Sequence, residues 1–163
     1  MAAAPSPLAP EHPWSGDDLY FMRLALEEAW EAERADEVPI GAVLVMDGRL
    51  VSRGRNSPIA RHDPTAHAEI LALRSAGEWL RNYRMPGATL YVTLEPCLMC
   101  FGALVQARVA RVVYGAPDPK VGVSRHIKLI EEVRLNHRFS LEGGLLEGEC
   151  REMLQQFFRR RRG

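Results

Sequence analysis

Four residues in the middle of the chain, His67, Glu69, Cys97 and Cys100, have the types and spacing of a catalytic zinc site. Cys97 and Cys100 are three residues apart, so both thiolates lie on one face of a helix that starts there. His67 supplies a third ligand, and catalytic zinc typically keeps three protein ligands and leaves the fourth position for water. Glu69 could move protons beside that water without binding the metal. The pattern therefore predicts one Zn²⁺ per subunit, with Glu69 as catalytic acid and base.

Two other interpretations of these residues are open at this level. A structural zinc site needs a fourth protein ligand. The side chains that could supply one are Cys150, His62, His126 and His137. A C-x-x-C pair could also belong to a thiol-redox protein. The structural interpretation gives Glu69 no role.

The length of 163 residues fits one domain, which we expect over residues 14–163. Residues 1–13 are rich in alanine and proline and have no basic segment followed by an apolar run. They predict a disordered N-terminal arm and not a signal peptide. No stretch could span a membrane. Because the zinc site uses two of the three cysteines, no disulfide framework remains, which favours a cytoplasmic protein with Cys150 as a small buried residue.

Charge is balanced overall, with 21 basic and 21 acidic side chains, but it is unevenly distributed. Residues 1–48 have a net charge of −8 and residues 49–163 a net charge of +8. This asymmetry permits a basic face, as expected for a partner made of nucleic acid. Four consecutive arginines, residues 159–162, follow two phenylalanines at the end of the chain. An unpaired base could stack on such an aromatic, so Phe158 and Arg162 are candidate substrate contacts.

Capping and turn signals indicate the elements before the zinc residues. Residues 15–18 (SGDD) resemble a capping box and predict a helix. Its apolar stripe has helical spacing: Met22, Ala25, Leu26, Ala29 and Trp30. Residues 40–46 and 49–54 are then predicted to form an antiparallel pair around the turn Asp47-Gly48.

Two strand and helix units carry the zinc residues themselves. A helix over residues 66–80 would hold His67 and Glu69 in its first turn and bury Trp79. A strand over residues 89–93 precedes a second helix. Its first residue would be Pro96, where the missing N–H costs nothing, and both cysteines would follow in its first turn.

The remaining pattern completes a sheet with helices on both faces. Strands are predicted over residues 110–114 and 139–142, the first of them reached by a parallel crossover. The last helix, residues 147–162, has an apolar face: Cys150, Met153, Leu154, Phe157 and in part Phe158. We therefore expect a three-layer α/β/α fold around a mixed five-stranded sheet.

The pattern H-x-E followed by P-C-x-x-C is the signature of zinc nucleobase deaminases. Four segments around it also resemble the bacterial tRNA-specific adenosine deaminases: residues 38–43 (VPIGAV), 61–70 (RHDPTAHAEI), 91–97 (YVTLEPC) and 136–138 (NHR). The resemblance implies the cytidine-deaminase-like fold, and an enzyme that makes inosine at the wobble base of an arginine tRNA. It also implies a homodimer that binds the anticodon stem-loop.

Several substrate contacts are implied by the same resemblance. Asn56 would lie against the purine ring, Asp118 and Lys120 would meet the nucleic-acid backbone, and Asn136 is a further family position. Residues 121–132 depart from the family pattern, which leaves the contacts of that loop open. The alternatives are a deaminase of a free base or nucleoside, such as cytosine, cytidine or guanine, and a non-catalytic zinc-stabilised RNA-binding module.

Overall fold

The computed structural model describes residues 13–163. The N-terminal arm expected for residues 1–13 lies outside these residues, apart from Pro13. The six α-helices of the described part are α1 (Gly16–Arg34), α2 (Pro58–Arg61), α3 (Ala68–Leu80), α4 (Leu98–Ala107), α5 (Ile127–Glu132) and α6 (Glu147–Arg162), and a short 3-10 helix (Val123–His126) precedes α5. The strands are β1 (Gly41–Met46), β2 (Arg49–Arg55), β3 (Thr89–Leu94), β4 (Arg111–Ala116) and β5 (Ser140–Gly143).

The strands form one mixed sheet in the order β2-β1-β3-β4-β5. Strand β1 is antiparallel to both β2 and β3, while β3, β4 and β5 run parallel. This confirms the predicted hairpin and the predicted parallel crossover from β3 to β4. The carboxyl ends of β3 and β4 therefore lie at the same edge of the sheet as the start of β1 and the end of β2.

Two separate apolar clusters show that helices cover both faces of the sheet. One joins α3 and α4 to the face that carries Leu44, Leu90 and Val112. The other joins α1 and the start of α6, including Cys150, to the opposite face. The alternation of side chains along a strand explains the division, because neighbouring residues such as Val112 and Val113 enter different clusters. The three-layer α/β/α fold is confirmed, as is the burial of Cys150.

Two predicted core residues are exposed instead. Trp30 is 57% exposed and Trp79 is 73% exposed. Both helices approach the sheet closely: a Cβ atom on Gly41 would collide with the backbone of α1, and one on Gly54 would collide with the backbone of α3. At so short a distance only small side chains fit between helix and sheet. These are mainly alanines, namely Ala25, Ala29 and Ala32 in α1 and Ala68, Ala72 and Ala76 in α3.

The predicted capping box at the start of α1 is confirmed and is part of a wider polar contact. Ser15 Oγ accepts a hydrogen bond from the Asp18 N–H, and Asp18 Oδ2 accepts one from the Ser15 N–H. Asp18 Oδ1 also accepts hydrogen bonds from the Tyr91 hydroxyl and the Arg111 guanidinium, both at 2.7 Å. Arg111 in turn pairs with Glu142. One buried carboxylate thus connects α1 with β3 and β4, and through Arg111 with β5.

Among residues 13–163, no helix is both long and apolar enough to cross a membrane.

Candidate active site

The three predicted zinc ligands come together at the ends of two helices. His67 is the N-cap residue of α3, and Cys97 is the N-cap residue of α4. Both helices therefore begin two residues later than predicted, at the residue after the N-cap. Pro96 precedes the N-cap of α4 and is not its first residue. The cap residues have extended backbone conformations, which turn their side chains toward each other across the ends of the two helices. Cys100 follows in the first turn of α4.

The distances between these donor atoms fit a tetrahedral metal ion. His67 Nδ1 lies 3.7 Å from Cys97 Sγ and 3.5 Å from Cys100 Sγ. Two ligand atoms at ordinary zinc–sulfur and zinc–nitrogen bond lengths are about 3.6 Å apart in tetrahedral geometry. One imidazole and two thiolates are also a donor set that zinc prefers. The group could hold a metal ion.

Within residues 13–163 this metal-binding group has three members, His67, Cys97 and Cys100, and no fourth. The side chains considered for a fourth ligand lie elsewhere. Cys150 packs beside Gly115, on the other face of the sheet, and His137 Nε2 contacts the Val109 carbonyl oxygen at 2.6 Å. The geometry is that of an open catalytic site and not of a closed structural one.

Glu69 touches the group without joining it. The Cys100 thiol donates a hydrogen bond of 3.2 Å to Glu69 Oε2, yet Glu69 is not among the residues whose donor atoms all lie within 4.8 Å of one another. Only 4% of its surface is exposed, and burial raises the pKa of its carboxyl. A buried carboxyl with a raised pKa is suited to carrying a proton in both directions.

The close packing of the three ligands changes their proton affinities. The hydrogen bond from the Cys100 thiol, assisted by His67 and opposed by burial, lowers the pKa of Cys97 to about 3. The hydrogen bond with Cys97 raises the pKa of His67 above its ordinary value, although burial acts in the opposite direction. The lowered pKa favours the thiolate form of Cys97, which is the form that binds a metal cation.

A cavity of about 610 Å³ opens at the edge of the sheet where β3 and β4 end, and its lining does not include His67, Glu69, Cys97 or Cys100. It brings together five of the six predicted substrate contacts: Asn56, Asp118, Lys120, Phe158 and Arg162. Asn56 is 7% exposed and follows the last residue of β2. The next N–H, that of Ser57, donates to the Ala66 carbonyl beside His67, which ties the cavity wall to the metal-binding group.

Asn136, the sixth predicted contact, is not part of this cavity lining. Its side chain is exposed, and its main-chain oxygen accepts a hydrogen bond from Arg108, which caps the C-terminal end of α4. Cys97 and Cys100 lie at the other end of that helix. The structure therefore does not bring Asn136 together with the other five.

Comparison with known proteins agrees with this geometry. The MafB19-like deaminase family matches residues 16–162 of the chain. A tRNA-specific adenosine deaminase of Agrobacterium fabrum (strain C58) is 50% identical over 144 residues, which cover 88% of this chain and 95% of the relative. The tRNA-specific adenosine deaminase of Haemophilus influenzae is 46% identical over 89% of this chain and 85% of its own length. The chain belongs to the tRNA-specific adenosine deaminase family.

A solved structure supports the same assignment at the level of the fold. It comes from biochemical and structural studies of A-to-I editing by tRNA:A34 deaminases at the wobble position of transfer RNA. That protein is 49% identical to this chain and superimposes with a TM-score of 0.79, and the match covers 83% of this chain and 99% of the other. The cytidine-deaminase-like fold expected from the sequence is confirmed.

Two buried glutamates hold the cavity walls of this deaminase and were not predicted. Glu95 is 3% exposed and accepts hydrogen bonds from the Asp118 and Ser124 N–H groups, at 3.0 and 2.6 Å. It thereby anchors both ends of the loop that contains Lys120. The available signal was a lone carboxylate between the apolar strand β3 and Pro96.

Glu37 does the same for the wall on the other side. It is 2% exposed and accepts hydrogen bonds from the Ile59 and Ala60 N–H groups at the start of α2, at 3.3 and 2.8 Å. These bonds satisfy amides that a short helix leaves unpaired. The only signal in the sequence was an acidic pair, Asp36-Glu37, directly before the apolar segment at residues 38–46.

Proposed function

We propose that this protein is a zinc-dependent hydrolase that converts adenosine to inosine at the wobble position of a tRNA anticodon, in an arginine tRNA. The observation that carries the proposal is the near full-length similarity to proteins named tRNA-specific adenosine deaminases, together with an open His67, Cys97 and Cys100 group beside a buried Glu69. A tRNA substrate also favours a cytoplasmic enzyme. The catalytic domain would comprise residues 14–163, in keeping with the family match over residues 16–162.

In this proposal His67, Cys97 and Cys100 hold one zinc ion per subunit. Zinc, when bound, is a Lewis acid that activates water for attack on C6 of the adenine. Glu69 would take one proton from the attacking water and deliver it to the ring nitrogen beside C6. It would then take the second proton from the hydroxyl group on C6 and deliver it to the amino group, which leaves as ammonia. Burial supports this role, because water cannot exchange protons freely with a carboxyl in this position.

The cavity would receive the target nucleotide after its base has left the stack. A single-stranded loop offers splayed bases at little cost in stacking energy. Asn56 would orient the purine ring, while Asp118 and Lys120 would lie along the backbone. One oxygen of Asp118 already accepts hydrogen bonds from the Lys120 and Val121 N–H groups, so Asp118 would act partly by shaping this turn. Asn136 remains a predicted substrate contact, although it does not line the cavity.

At the end of α6, Phe158 and Arg162 would contact the anticodon stem-loop. Phe158 is 45% exposed at the rim of the cavity, whereas Phe157 is 6% exposed. An aromatic ring that is accessible at the mouth of a nucleotide site can stack on a neighbouring base. Arg162 lines the same cavity and could pair with a phosphate.

The test is to incubate the purified, zinc-loaded protein with tRNA transcripts, including arginine tRNA, and separately with free adenosine, cytidine and guanine. Inosine at the wobble position of the arginine tRNA, without deamination of the free compounds, is the expected result. Deamination of a free base or nucleoside alone would favour the alternative enzyme. No deamination of any substrate by protein with full zinc occupancy would favour the non-catalytic RNA-binding module.

A homodimer is part of the proposal. It rests on the family resemblance and is supported by Leu98 and Met99, which are 42% and 38% exposed at the start of α4 beside the metal-binding group. Sedimentation at micromolar concentration should give a particle of twice the 18.3 kDa chain mass. A single 18.3 kDa species would contradict the dimer and would weaken the anticodon-loop assignment.

A further inference from the structure

A second pocket lies along the outer edge of the sheet, between β2 and α3. Its volume is about 400 Å³, and we call it the β2-edge pocket. Four arginines line it: Arg53, Arg55, Arg61 and Arg74. The acidic side chains in its lining are Glu28 and Glu78, so the pocket has an excess of positive charge in a protein whose net charge is zero.

The pocket is next to the cavity proposed for the target nucleotide. Asn56 lines that cavity, while its two chain neighbours, Arg55 and Ser57, line the β2-edge pocket. A single stretch of backbone therefore separates the two sites. A strand whose base enters the cavity can continue over this rim into the pocket.

Two of the arginines are available for a ligand. Within residues 13–163 the Arg61 side chain has no ion pair or hydrogen bond, and the nearest carboxylate to Arg55 is that of Glu28 at 3.9 Å. Arg53 is closer to its partners, at 3.3 Å from Glu27 and 3.5 Å from Glu28.

Arg74 is already paired with other side chains. It contacts Asp63 and the Thr65 hydroxyl in the segment that leads to His67, at 3.4 and 3.3 Å. Arg55 and Arg61 thus have free donors, while Arg53 and Arg74 contribute charge.

We propose that the β2-edge pocket binds phosphate groups of the RNA strand that adjoins the target nucleotide, with Arg55 and Arg61 as the main contacts. This inference rests on the proposed function and adds a binding site to it. Guanidinium groups bind phosphate oxygens through paired hydrogen bonds. A contact outside the cavity would favour an adenosine within an RNA strand over the free nucleoside.

The test compares R55Q/R61Q with R49Q/R81Q, which removes the same charge. Arg49 and Arg81 are exposed and lie at the ends of β2 and α3 away from the metal-binding group. Each variant is assayed with an anticodon stem-loop and with a seven-nucleotide loop sequence without a stem. Binding of the stem-loop is also measured over a range of NaCl concentrations.

We expect KM for the stem-loop to rise about tenfold or more in R55Q/R61Q, because each lost bond to a charged group weakens binding appreciably. The value of kcat should not change, and KM for the seven-nucleotide sequence, which contains the same adjoining phosphates, should also rise. The salt dependence of binding should become shallower by about 1.4, since each phosphate contact contributes about 0.7 for a single strand. R49Q/R81Q should behave like the unmodified protein.

Equal KM values and equal salt slopes in the two variants would overturn the proposal. Equal inhibition of stem-loop binding by millimolar inorganic phosphate in both variants would also overturn it, because the pocket would then not be the phosphate site. If the unmodified protein made no inosine from any RNA, the proposed function would fail. The salt slopes would then still decide whether the pocket binds RNA phosphates.

Discussion

The carboxyl of Glu69 and the thiol of Cys100 form the contact that separates acid–base chemistry from metal binding in this site. Cys100 belongs to the metal-binding group, and Glu69 receives a hydrogen bond from it while staying outside the group. A side chain with this position and 4% exposure should affect the reaction more than the stability of the metal site.

Glu69→Gln tests that separation with little change in volume. We expect deamination of arginine tRNA to fall by roughly 10²- to 10⁴-fold, because a positioned acid–base group contributes about that much. Zinc content by atomic emission should remain one ion per chain, and the melting temperature should change little. Activity within a few fold of the unmodified protein would remove Glu69 from the mechanism.

Cys100→Ser is the matched change on the other side of the contact. It should lose zinc and stability together, because a metal site and the fold around it form in one linked equilibrium. Full zinc occupancy in this variant would contradict the assignment of Cys100 as a ligand.

The two phenylalanines of α6 differ in exposure and should differ in function. Phe158→Ala should weaken binding of the anticodon stem-loop by roughly 1–3 kcal/mol if its ring stacks on a base, with an unchanged melting temperature. Phe157→Ala should instead lower the free energy of unfolding by about 3 kcal/mol or more, since it removes a buried aromatic ring. Filter binding and urea unfolding measure the two effects. The same stability loss in both variants would show that Phe158 is a core residue too.

At the scale of elements, the arginines at the end of α6 have two roles: some attach the helix to α1, and one borders the cavity. Arg160 pairs with Glu33 of α1, and Arg161 donates a 2.6 Å hydrogen bond to the Asp36 carbonyl and lies 5.0 Å above the Phe157 ring. These contacts attach the helix to α1. Among the described residues 13–163, Arg162 donates only within its own helix, to the Phe158 carbonyl, and it also borders the cavity.

This division predicts different results for two double variants of equal charge. R159Q/R162Q should weaken tRNA binding and reduce its dependence on salt, while the melting temperature stays unchanged. R160Q/R161Q should mainly lower the melting temperature, because it detaches α6 from α1. Binding titrations at two NaCl concentrations and thermal unfolding distinguish the pairs. Indistinguishable tRNA affinities for R159Q/R162Q and the unmodified protein would show that this end of the helix does not bind RNA.

At the scale of the whole molecule, Asp18 joins the layer of α1 to the central strands. Burial alone would raise its pKa, but hydrogen bonds from Arg111, Tyr91 and the Ser15 backbone outweigh this and lower the pKa to about 2. A carboxyl with a lowered pKa stabilises the fold above its unfolded pKa of about 3.8 and loses that contribution as pH falls toward 2. Allowing for solvent screening, the contribution is about 1–2 kcal/mol.

Asp18→Asn should therefore lower the free energy of urea unfolding at pH 7, and the difference from the unmodified protein should narrow between pH 4 and pH 2. Asp17→Asn is the control, since Asp17 is an exposed neighbour on the same turn. A difference that stays constant over this pH range would show that the charge of Asp18 does not contribute.

Local patterns in the sequence were sufficient for the five strands, the four long helices and the group of metal ligands, but not for the short helices α2 and α5. Capping at residues 15–18, the turn at Asp47-Gly48 and the C-x-x-C spacing act over a few residues, so their structural consequences can be predicted without knowing the fold. The family resemblance added the activity, which composition and spacing alone do not specify.

Only the tertiary structure decided which side chains are free and which are already engaged. Trp30 and Trp79 have helical spacing for the core, but where the helices approach Gly41 and Gly54 only small side chains fit between helix and sheet. In the sequence Glu37 and Glu95 resemble ordinary surface acids, whereas in the structure they accept hydrogen bonds from backbone N–H groups more than 20 residues away. Burial and pairing depend on residues far apart in the chain, and a linear pattern does not contain those distances.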